Sequence, residues 1–142
     1  MKFKTLLTLA ATLALGFNVA TAADDDTPLG TEMKAMNKSL RTLKKQLADA
    51  SKKDENVALV EKMKKDLAAS KKHEPAKTKD IPAADKAAYL AKYQEQMDAL
   101  GKSYDELEVA VKADKVDDAK KVLEKLSDQK EKGHKDFNPD DK

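Results

Sequence analysis

The chain is 142 residues long, has no cysteine or tryptophan, and balances 28 basic against 26 acidic side chains for a formal charge of +2. The missing cysteine excludes disulfides, thiolate metal sites, cysteine nucleophiles and a Cys-x-x-Cys-His attachment motif. Evenly mixed charge gives no support for nucleic-acid binding. Aromatic residues make up only 4%, and β-branched residues are also sparse, which favours long amphipathic helices over sheet.

Lys2 and Lys4 open the chain as a basic region, an apolar stretch runs from Leu6 to about Val19, and Ala20-Thr21-Ala22 follows as a small-residue cleavage site. Residues 1–22 therefore read as a secretory signal peptide, with an uncleaved anchor as the alternative. They carry two lysines and no acid, so residues 23–142 are formally neutral. That remainder is one ordinary domain by size, with no membrane span expected after cleavage. The acidic groups Asp24–Asp26 and Asp140–Asp141 read as solvated tails.

The spacing predicts four helices. The first runs from Pro28 to about Ala50, with Thr27 as N-cap, and places Leu29, Met33, Met36, Leu40, Leu43 and Leu47 on one stripe. The second runs from Asp54, a good cap, to about Ser70, with Val57, Val60, Met63 and Leu67 on one face. Residues 71–82 form the longest connection, bracketed by Pro75 and Pro82 and without apolar period. The third helix spans about Ala83 to Ala113, where Leu90, Tyr93, Met97, Leu100, Tyr104, Leu107 and Val111 recur three or four apart. The fourth begins near Lys115, carries Val116, Ala119, Leu123 and Leu126, and ends near Gly133 or a few residues later, with Pro139 blocking extension.

Each helix has one apolar stripe and cannot bury it alone. Two short links and one longer one favour an all-α, antiparallel, up-down-up-down four-helix bundle; a long coiled-coil dimer would need fewer breaks. In that bundle Met33, Leu67, Leu90, Tyr93 and His134 collect at one end. His134 follows Leu123 by 11 residues, about 20° around an ideal helix, so it should point along the apolar stripe rather than to water. A thioether and an imidazole across an apolar pocket are suited to haem iron as axial ligands. The bland readings are that Met33 packs in a core and that His134 complements a helix dipole.

The segment Leu29-Gly30-Thr31-Glu32-Met33-Lys34-Ala35-Met36-Asn37-Lys38-Ser39-Leu40 resembles the opening helix of the cytochrome b562 family. Leu126 to His134, followed by Lys135-Asp136-Phe137, is similar to its closing helix, and Tyr104-Asp105-Glu106-Leu107 through Lys115, Val116 and Ala119 to the turn before it. The likeness covers essentially all of residues 23–142, most loosely residues 71–90. It implies a periplasmic electron-transfer protein holding one haem b per chain without a covalent bond. The family's methionine ligand maps onto Met33 through Met33, Asn37 and Leu40, and its histidine onto His134 by the eight-residue step from Leu126. Gly133 departs from the pattern, standing where a bulkier neighbour is familiar. Tyr93 and Met97 occupy the region of an aromatic haem-packing side chain.

Met36, Leu40, Leu67, Tyr93, Met97 and Leu126 are the expected slot lining, each also readable as plain core. Lys130, one turn before His134, is a candidate propionate partner or a solvated lysine. The expected partners are unidentified redox proteins, and the expected form is a monomer. No nucleophile–base pair, phosphate loop or metal-ligand cluster is readable, so an enzyme is not expected. His73, the other histidine, reads as an exposed loop residue rather than a ligand. The rival functions are a haem-free periplasmic bundle that binds a partner or acts as a chaperone, and a transition-metal bundle using His134, His73 and carboxylates.

Overall fold

The computed structural model describes residues 27–138. The segment expected to be a signal peptide, the acidic groups at 24–26 and 140–141, and Pro139 lie outside the described residues. Thr27 starts α1 (Pro28–Gln46): its Oγ1 accepts from the Gly30 amide at 2.9 Å, and Pro28 occupies the first turn. The helix stops short of the expected Ala50. Leu47 caps it, and Asp49 turns the chain by accepting from the Ser51 amide and hydroxyl at 2.9 and 2.6 Å. A 3-10 turn, Ala50–Lys52, leads into α2 (Lys53–Ser70). Asp54 is not the cap. It lies in the first turn with Glu55, where the helix dipole favours acids.

The longest connection, which has no apolar period in the sequence, contains a 3-10 helix, Ala76–Asp80, between its two prolines. Pro82 then precedes α3 (Ala83–Lys112). The turn into α4 (Val116–Phe137) is closed by Lys115 donating to the Ala110 carbonyl at 2.9 Å and Asp114 to the Val111 carbonyl at 3.1 Å. This is the Schellman pattern, and its left-handed position is held by Asp114 at φ 56° rather than by glycine. α4 continues unbroken through Gly133.

Packing makes these helices the expected four-helix bundle. α1 packs along α2, α2 along α3 and α3 along α4, while α1 and α4 form the sparsest of the four seams. Leu43, Val60, Met63, Leu107, Ala119 and Leu126 are wholly buried at the centre. Every member of the α1 stripe is buried except Met33, which is half-buried. No helix among the described residues is long and apolar enough to cross a membrane.

A cleft between α1, α3 and α4

The exception at Met33 has a geometric cause. Where α1 and α4 fail to close on each other, a cleft of about 300 Å³ opens at the end of the bundle that holds the start of α1 and the end of α4. Small-molecule sites span roughly 300–1,000 Å³, so the cleft is large enough to be one. A second cavity of about 160 Å³ lies at the opposite end, among Leu47, Asn56, Val111 and Ala119. It has neither thioether nor imidazole on its walls.

The cleft brings together residues far apart in the chain. α1 supplies Met33, Met36 and Leu40, α3 supplies Tyr93, Met97, Leu100 and Tyr104, and α4 supplies Leu126, Lys130, His134 and Phe137. Of the residues expected to line a slot, Leu67 does not reach it. It is buried instead between α2 and α3, its Cδ2 3.4 Å from where a Cβ on Gly101 would stand. The reason is topological: the cleft follows the α1–α4 seam, and α2 lies on the far side of the bundle. Leu90 is half-buried away from the cleft, and so is His73, whose amide donates to the Ser70 carbonyl at 3.0 Å.

His134 borders the cleft but is exposed. Its stripe position on α4 faces an open seam rather than closed core, so the expectation that it points away from water does not hold. Its turn of helix is nonetheless fixed. Gln96 Nε2 donates to Asp136 Oδ2 at 2.6 Å, and Lys92 meets the same oxygen at 3.2 Å, clasping the end of α4 to α3. Burial pushes the Asp136 carboxyl up, but the hydrogen bonds from Gln96 and Lys92 outweigh it and hold it below its ordinary value. A Cβ on Gly133 would meet Gln96 Oε1 at 3.7 Å, an ordinary contact, so crowding does not demand glycine there.

Aromatic side chains floor the cleft. Phe137 packs edge-on against Tyr93 at 5.3 Å and Tyr89 at 5.2 Å between ring centroids. Deeper in, the Tyr104 hydroxyl donates to Met36 Sδ at 3.7 Å. Burial pushes the Tyr104 phenol up to about 12, with the Asp66 carboxylate adding to the shift. Phe137 and Tyr104 were not singled out as lining by the sequence. Phe137 follows Leu126 by 11 residues, the same step that relates His134 to Leu123, so the signal was present.

The charged side chains that line the cleft, among the described residues, are Lys34, Lys130 and Lys132, with no carboxylate. Among the described residues no three His, Asp or Glu side chains converge to hold a metal ion. Thioethers, one imidazole, apolar walls and lysines at the rim fit haem: soft and borderline ligands for iron, surface for the macrocycle, and cations for the propionates.

Comparison with curated proteins and with solved structures gives no match. The family model for cytochrome b562 matches residues 28–138, most of the chain. The chain belongs to the cytochrome b562 family, a family of haem-binding electron carriers.

Proposed function

We propose that this chain is a periplasmic one-electron carrier that holds a single haem b, without covalent attachment, between Met33 and His134. The observation that carries the reading is that Met33 and His134 border one apolar cleft whose charged lining residues, among those described, are lysines, in a chain of this family. When bound, haem supplies a ferric/ferrous couple.

The residues divide the remaining work. His134 would hold the haem iron through an imidazole nitrogen and Met33 through its thioether, a pair that would leave no site on it for oxygen or substrate. The thioether favours ferrous iron and raises the potential. Met97, Leu100 and Leu126, which line the cleft, would exclude water from the bound group and so keep reorganisation small on electron transfer. Lys130 and its neighbours on the rim neutralise propionates. Export to the periplasm rests on the family and on the signal-like segment at residues 1–22; a redox protein partner and a monomeric state are part of the same reading.

Haemin titration tests it. The mature chain should take up one equivalent and give a sharp low-spin spectrum on reduction, and acid-organic extraction should remove all of the haem. His134→Ala should cost more affinity than any other single substitution, with His73→Ala close to neutral. Protein that stays colourless through the titration overturns the proposal and leaves the haem-free bundle. Greater damage from His73→Ala would move the ligand to the loop.

A further inference from the structure

Two thioethers of α1 compete for one position in this cleft. Met33 and Met36 are three residues apart on α1, about 60° around the helix, and both line the cleft. Their surroundings differ. Met33 is half-buried at the cleft wall, whereas Met36 is 3% exposed and its Sδ accepts from the Tyr104 hydroxyl at 3.7 Å. Tyr104 stands on α3, which the order of packing places diagonally across the core from α1, while His134 stands on α4.

We propose that Tyr104 is a positioning residue that selects the iron's methionine: by donating to Met36 Sδ it holds that thioether in the cleft wall and leaves the ligand position to Met33. This rests on the haem reading above. A thioether is a weak acceptor, so the strength of the selection comes from the donor's side. Tyr104 is 4% exposed, and a buried hydroxyl that loses its acceptor cannot turn to water instead. If Met36 swung onto iron, it would strand that donor, and a buried polar group left unpaired costs more than the bond itself is worth. The phenol stays protonated, and so remains a donor, throughout the neutral range, because burial holds its pKa near 12. Met33 packs at the margin of the core, half-buried, and its thioether makes no such bond among the described residues, so no stranded donor opposes its turning to the iron.

The test uses variants of the mature chain. In the apo protein labelled at the methionine ε-methyl groups, Met36 should show a through-space contact to the Tyr104 ring, and Tyr104→Phe should shift the Met36 methyl but not that of Met33. With haemin, Met33→Ala should lose the low-spin, six-coordinate spectrum. Adding Tyr104→Phe should restore most of it by releasing Met36, and adding Met36→Leu to that pair should abolish the recovery. A merely structural tyrosine would not restore a ligand. If Met33→Ala with Tyr104→Phe folds poorly by circular dichroism, Met33→Leu with Tyr104→Phe carries the same comparison with less lost volume. The proposal is overturned if Met33→Ala alone stays six-coordinate through Met36, or if the double variant matches Met33→Ala. An unsubstituted chain that takes up no haemin brings down this proposal and the haem reading together; haem uptake without recovery brings down only the first.

Discussion

The Phe137 ring, from the last residue of α4, stands edge-on to the Tyr93 ring of α3 at 5.3 Å and closes the open end of the bundle beneath the cleft. Phe137 is 7% exposed although it is the helix's final residue. Truncating a buried phenylalanine costs about 3–5 kcal/mol, and helix ends relax more easily than middles. Phe137→Ala should therefore fall at the lower end, about 3 kcal/mol in denaturant unfolding of the apo protein. It should also speed haem release, since the floor beneath His134 is lost. Phe137→Leu should recover most of the stability but less of the haem retention, and equal recovery of both would assign Phe137 to packing alone.

Among the described residues the rim carries lysines and no carboxylate. Exposed ion pairs are worth about 0.2–1 kcal/mol, so reversing one charge should have a modest effect. Lys130→Glu should weaken haem binding about two- to tenfold in low salt, and the difference should shrink as salt is raised. A salt-independent loss would mean that Lys130 acts through its aliphatic stem.

Gly133 lies within α4 at an ordinary α-helical position with room for a methyl group. Glycine costs about 0.8–1.0 kcal/mol relative to alanine inside a helix. Gly133→Ala should stabilise the apo protein by up to about that amount in thermal or urea unfolding. A fall in stability would show that the cleft wall needs the missing Cβ.

Two groups set opposite pH limbs. The Lys112 ammonium, and Lys64 at 2.6 Å, hold the Glu108 carboxyl below its ordinary 4.5. A folded value below the unfolded one stabilises fully above pH 4.5, and the contribution is lost as pH falls through the folded value. Glu108→Gln should flatten that acid limb by about 1 kcal/mol or less, given the exposure of both lysines. Tyr104 behaves in the other sense. Its folded value of about 12 lies above its ordinary 10, so stability holds below pH 10 and falls as pH rises toward 12. Tyr104→Phe should remove that alkaline loss, measured by urea unfolding across the range.

The four helices were legible in the sequence because helical periodicity is local: the 3–4 spacing, Thr27, Pro28 and the prolines at 75 and 82 act within a turn or two of chain. So was the end of the bundle at which Met33, Tyr93 and His134 gather, because antiparallel order follows from short links. The 3-10 helix at Ala76–Asp80 was not legible, since it has no apolar period, and neither was the early end of α1 at Gln46, which depends on the turn built by Asp49. A stripe tells which face of a helix is apolar but not what that face meets. Only the tertiary packing left the α1–α4 seam open, and that one gap decided that Met33 and His134 border a cleft while Leu67, equally apolar and at the same end, is sealed in the core. It also decided that Met36 is engaged by Tyr104 and Met33 is not, because a hydrogen bond across the core depends on where two helices sit relative to each other, which no local spacing encodes.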